Sequence, residues 1–197
     1  MRKGELTRER IVAQAAPIFN QKGFAGCSMQ DVMDATGLEK GGLYRHFASK
    51  EELAEASFRY AWDRAVRART DTLDIAADAV DQLRAFVRQF IERPSTTPGG
   101  CPLLNTAVDA DDGNEALRRV ALQALQDWRG RLSEVVQEGL RRGEIAKSAK
   151  PRAIANALIA TLEGALMISR LEGTKTALKD AGAALEIMLD AIAVRAR

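Results

Sequence analysis

The 197 residues are 46% hydrophobic, 28% charged and only 5% aromatic, a balance that excludes disorder and favours close helix packing over sheets. A net charge of +2 is too small to name an anionic partner. Its distribution is more informative: residues 1–50 hold eight cationic and five anionic side chains, leaving the rest of the chain at a net −1, so the N-terminal end suits an anionic partner.

Apolar positions recur at helical spacing almost throughout. The first helix is expected from about Thr7 to Lys22, with Ile11, Ala15, Ile18 and Phe19 on one stripe, a bend at Pro17 and a stop at Gly23. A short second helix, Met29 to Thr36, begins at the cap Ser28 with Asp31 three residues on; Val32 and Ala35 face inward, and Gly37 is its left-handed stop. A third spans about Lys40 to Phe47. Leu43 and Phe47, four apart, form its buried face, so Lys40, Tyr44, Arg45 and His46 turn outward. Gly41 and Gly42 weaken this helix, and glycines are useful where a backbone approaches another molecule closely.

Ser49-Lys50-Glu51-Glu52 is a capping box opening a fourth helix that runs to about Arg69. Helices follow over about Val80–Ile91, Leu103–Ala110, Asn114–Arg141, Pro151–Leu171 and Thr174–Val194, with residues 93–100 as a Pro/Gly-rich loop. The expectation is an all-α chain of about nine helices. It divides into an N-terminal three-helix domain over 1–50 and a C-terminal helical domain over 51–197.

Two short helices joined by a tight turn and braced by a preceding helix make a helix-turn-helix. Its second short helix enters the major groove, where base edges can be read. Free amides at the helix starts beside Ser28 and Lys50 suit phosphates.

The segment Ser28 to Leu53 resembles the TetR-type regulators. The elements Gly37, Gly41, Leu43-Tyr44, His46-Phe47 and Lys50-Glu51-Glu52-Leu53 match that family's pattern in order and spacing. The resemblance implies that Ser28, Tyr44, His46 and Lys50 hold phosphates, and that Lys40, Gly41, Gly42 and Arg45 meet bases or the groove floor. Two positions depart from the pattern. Glu39 stands where Ser or Thr is common, and Gly42 where Ala or Ser is, which leaves the reading helix loose until DNA orders it. Arg2 and Lys3 would add a basic arm.

The same resemblance implies a homodimer on palindromic operator DNA, released by a small, mostly apolar effector. The last two helices are the expected dimer interface, through Ile154, Leu158, Leu162, Leu185, Met188, Leu189 and Ile192. The expected effector-lining residues are Trp62, Phe86, Phe90, Leu103, Leu104, Trp128, Leu132 and Met167.

Cys27 and Cys101 give no disulfide framework and no metal-type spacing. Cys101, beside a helix start, leaves open a repressor that senses oxidants or electrophiles through its thiol. An enzyme is disfavoured, because His46 is the only histidine and no phosphate-cradling loop or metal motif occurs. A general DNA-packaging protein is the remaining alternative, and it would show little sequence preference. No cofactor or metal is expected. The charged N-terminus and the lack of a long uninterrupted apolar run point to a cytoplasmic protein without a membrane partner.

Overall fold

The computed structural model describes residues 3–70, 78–93, 95, 97–111 and 113–194. Among them the helices are α1 (Lys3–Gly26), α2 (Met29–Thr36), α3 (Lys40–Tyr44), α4 (Lys50–Thr70), α5 (Ala79–Glu92), α6 (Pro102–Ala110), α7 (Glu115–Arg142), α8 (Pro151–Glu172) and α9 (Thr176–Ile192). The described residues contain no strand, only an isolated antiparallel bridge between Ile145 and Ala193. The chain is all-α, as expected. Two compact units form, Met1–Ala65 with Ser95–Leu125, and Val66–Pro94 with Gln126–Arg197.

The first unit is organised around Ile11, Val12, Ala15, Cys27, Val32, Leu43, Phe47 and Leu53, all buried. These positions come from α1, the junction after it, α2, α3, the turn after α3 and α4, so one apolar cluster fixes the short helices that could not persist alone. Ala35 is exposed, and Thr36 instead turns inward, its hydroxyl donating to the Val32 carbonyl at 2.8 Å. The expected stop at Gly23 is a break within α1: Gly23 is its one described residue with non-helical angles (φ 72°), and helix resumes to Gly26. The Phe24 amide beside it donates to Asp109 Oδ2 at 2.6 Å, and a methyl group on Gly23 would lie 2.7 Å from Asp109 Oδ1. Nearby, Asn105 Nδ2 donates to the Asn20 carbonyl at 3.0 Å, to Asn20 Oδ1 at 3.1 Å and to the Gly99 carbonyl at 3.0 Å. Asn20 Nδ2 in turn donates to the Pro98 carbonyl at 2.8 Å. These bonds tie the end of α1 to α6 and the loop before it.

The second unit packs α5, α8 and α9 together. In α5, Ala79, Val80, Leu83, Phe86, Val87 and Phe90 are buried at helical spacing. Asp78 caps it by accepting the Asp81 amide at 2.9 Å. Arg84 reaches from α5 to Glu186 (3.0 Å) and Asp190 on α9, and to Asp81 on its own helix. Pro151 opens α8 and Gly173, left-handed at φ 67°, closes it. By length and composition α8 is apolar enough to cross a membrane, although Glu163 interrupts its apolar run. Its ion pair to Arg69 and its packing on α5 and α9 make it a core helix here.

Candidate nucleic-acid interface

The turn between α2 and α3 is built by Gly37, left-handed at φ 67°, whose amide closes α2 on the Met33 carbonyl. At the other end of α2, Ser28 and Asp31 form the expected reciprocal cap. Asp31 donates its amide to Ser28 Oγ (3.1 Å), while its carboxylate accepts from the Ser28 amide (2.7 Å) and hydroxyl (2.8 Å). Lys22 on α1 completes this network, 2.6 Å from Asp31 Oδ1. The Lys22 bond and the Ser28 bonds hold the Asp31 carboxyl well below the usual carboxylate range.

The reading helix α3 is shorter than expected, five residues ending at Tyr44. Arg45 and His46 form the turn that follows, and the Phe47 amide still bonds the Leu43 carbonyl at 3.2 Å. Leu43 and Phe47 are 0% and 1% exposed, so both anchors are in the core. Lys40, Gly41, Tyr44 and Arg45 are exposed; Gly42 and His46 are half-buried. The Lys40 ammonium lies 5.9 Å from the Tyr44 ring centre. At the start of α4, Ser49 Oγ accepts the Glu52 amide at 3.2 Å, and Glu52 Oε2 accepts from Ala48 at 2.7 Å rather than from Ser49. That amide bond, with Arg8 3.2 Å away, lowers the Glu52 pKa.

All eight expected DNA-binding residues, Ser28, Lys40, Gly41, Gly42, Tyr44, Arg45, His46 and Lys50, lie within the first unit and are exposed or half-buried. Sequence reasoning missed three supports. Lys50 is held 4.3 Å over the Phe24 ring, Arg8 lies 4.4 Å over the Phe47 ring, and Lys22 locks Asp31. A cation over an aromatic face is worth up to about 1 kcal/mol at exposed sites. Arg2 lies outside the described residues, as does the side chain of Lys3, so the basic arm is not placed.

The remaining expected site residues separate between the two units. Phe86, Phe90, Trp128 and Leu132 are buried in the second unit. The Phe86–Trp128 pair is edge-on at 5.9 Å and the Phe90–Trp128 pair parallel at 6.3 Å. Trp62, Leu103 and Leu104 belong to the first unit. Met167 is 49% exposed and faces away from the core. Of the expected dimer residues, Leu158, Leu162, Leu185 and Leu189 are no more than 2% exposed within a single chain, so they are core and unavailable to a second copy. Ile154, Met188 and Ile192 are half-buried. The exposed apolar side chains of α8 and α9 are Met167, Ile168 and Leu171 (82%) and Ile187 (73%). Cys101 is 1% exposed at the start of α6, and nothing supports a thiol-sensing role for it.

A two-helix reader presented on a brace defines the chain as a helix-turn-helix DNA-binding protein. Residues 11–57 match the model of bacterial regulatory proteins of the TetR family, and residues 79–185 match the tetracycline repressor-like C-terminal domain. The chain belongs to the TetR family. It is similar to a TetR transcriptional regulator from Chloroflexus aurantiacus, at 44% identity with 100% of each chain covered and a TM-score of 0.93. A TetR-family regulator from Cytophaga hutchinsonii matches at 32% identity, 100% and 99% coverage and a TM-score of 0.93. The HTH-type transcriptional repressor DhaR of Mycobacterium sp. (strain GP1) is 27% identical, with 84% of this chain and 83% of that protein covered. The family consists of regulators rather than enzymes.

Proposed function

We propose that the protein is a transcriptional repressor that binds a palindromic operator as a homodimer in the cytoplasm. A small, mostly apolar effector releases it. The DNA-binding domain comprises residues 1–50, and residues 51–197 bind the effector and the second copy. The carrying observation is that Leu43 and Phe47 anchor α3 in the core while Lys40, Tyr44 and Arg45 remain open to solvent. Lys40 and Arg45 read bases; Ser28, Tyr44, His46 and Lys50 grip phosphates. Ser28 has its hydroxyl engaged by Asp31, so a phosphate takes over that bond as it docks. The second copy packs on the outward face of α8 and α9 at Met167, Ile168, Leu171 and Ile187, four large apolar side chains exposed on a charged, soluble framework. The effector occupies the aromatic core of the second unit around Phe86, Phe90, Trp128 and Leu132.

Selection from random duplexes, followed by footprinting, tests the reading. A palindrome with half-sites about one helical turn apart is expected, bound at least about a thousandfold more tightly than random DNA at the same salt. Arg45→Ala should relax the preference at one base position, and Lys50→Ala should weaken all sequences alike. Binding that follows salt and ignores sequence would instead identify a packaging protein.

A further inference from the structure

The core of the second unit holds a charged pair among aromatic rings. Arg69 and Glu163 are 5% and 7% exposed, and Arg69 Nη1 lies 3.6 Å from Glu163 Oε1. The Arg69 guanidinium carbon is 4.2 Å from the centre of the Phe90 ring and 5.9 Å from that of Trp128. Those two rings are parallel to within 7°, and Phe86 meets both edge-on. The cluster has the composition of a cation-binding site: flat aromatic faces and one carboxylate. Arg69 supplies the cation.

A buried ion pair is a poor way to stabilise a core, since its desolvation cost rivals its attraction. It is a good way to discriminate, because a replacement with the wrong charge leaves an uncompensated ion. Glu163 stands midway along α8, whereas Arg69 carries the longer side chain and stands one residue before the end of α4. An incoming cation that exchanges with the Arg69 guanidinium keeps the charge against Glu163 balanced, whereas an incoming anion there would add a second negative charge beside that carboxylate.

We infer that the effector is an organic cation whose flat charged group takes the place of the Arg69 guanidinium against Glu163 and the faces of Phe90 and Trp128. This rests on the effector site proposed above and names its chemistry: an apolar body bearing one positive charge. Displacing Arg69 changes what holds the end of α4, the helix that begins at Lys50.

Calorimetric titration of the full-length protein, without DNA, tests it with three bicyclic probes of one size: 1-methylquinolinium, neutral quinoline and 2-naphthoate. The quinolinium should bind at least about tenfold more tightly than quinoline, with naphthoate weakest. Glu163→Gln should erase that order. Arg69→Met should tighten quinolinium binding, because the competing cation is gone. A purely structural pair would make both variants weaken binding alike. That result, naphthoate binding best, or no binding of quinolinium to the native protein would each overturn the inference. If either variant fails to fold by circular dichroism, the ranking on the native protein decides. Operator selection on the same preparation separates the two readings: a specific operator with no quinolinium binding removes the cation and leaves the regulator.

Discussion

Gly41 and Gly42 sit side by side in α3, and the fold needs neither. Neither has a positive φ. A methyl group at Gly41 meets nothing within 4 Å, and one at Gly42 meets only Leu38 carbons at 3.7 and 3.8 Å, an ordinary contact. Glycine costs about 1 kcal/mol relative to alanine inside a helix; near the start of a five-residue helix we take about half of that. Each alanine variant should therefore stabilise the protein by roughly 0.5 kcal/mol, and the pair by about 1 kcal/mol, raising the urea midpoint by about 0.3–1 M at a typical slope. DNA should separate them. Gly42 is half-buried beside Leu38, so Gly42→Ala pre-orders the reader and leaves operator affinity equal or a few-fold tighter. Gly41 is exposed, and a methyl there stands between backbone and duplex. Gly41→Ala should cost at least about tenfold in affinity, or 1.4 kcal/mol, in fluorescence anisotropy against the selected operator. Destabilisation by either variant would mean that the protein itself needs the glycine. Full affinity in Gly41→Ala would refute the close approach of α3 to DNA.

The acid side of the stability curve should carry the signature of Asp31. Its pKa is lower folded than unfolded, so its contribution is complete above the unfolded value near 4 and is lost as pH falls toward the folded one. The stability gap between wild type and Asp31→Asn in urea melts should thus be widest at neutral pH and shrink through pH 4 to 3; a gap that widens on acidification would contradict the network. Asn105→Ala removes a donor shared by the Asn20 carbonyl, Asn20 Oδ1 and the Gly99 carbonyl, and should cost about 1–3 kcal/mol, read as a lower melting temperature. Burial pushes the Cys27 thiol above its ordinary value, and Cys101 is equally covered. Both should resist iodoacetamide until the chain unfolds, and peroxide should leave operator binding of wild type and Cys101→Ala alike. Leu171→Glu with Ile187→Glu should give a folded monomer by sedimentation, with operator affinity down at least about a hundredfold through the lost second contact.

The helix-turn-helix was legible because its signals are local: the Ser28 and Ser49 caps, the Gly37 stop, and the Leu43–Phe47 spacing. What failed depended on neighbours distant in sequence. The stop at Gly23 was legible, but not that Asp109, 86 residues further on, leaves no room there for a side chain. On α8 and α9 the sequence offers two apolar stripes, and Leu158, Leu162, Leu185 and Leu189 belong to the one facing inward. The outward stripe, Met167, Leu171 and Ile187, is equally apolar, so composition does not tell the two apart. Arg69 and Glu163 went unread because charged residues are ordinarily solvated. A periodic signal existed all the same: Glu163 follows the buried Ala155 and Ile159 at four-residue steps.

The shortness of α3 bears on the proposed pairing of two copies. One copy presents two side chains suited to base edges, Lys40 and Arg45, each worth about 1–3 kcal/mol of discrimination in good geometry. A regulator needs about 4–10 kcal/mol over random DNA. Two such contacts supply about 2–6 kcal/mol, which overlaps only the lower part of that range, whereas two heads on a palindrome supply about 4–12 kcal/mol and span it. With a reader this small, the proposed pairing of two copies would supply the rest of the specificity. The monomer made by Leu171→Glu with Ile187→Glu should therefore lose discrimination between operator and random DNA along with affinity. If it kept full discrimination, residues beyond α3 would have to read the bases.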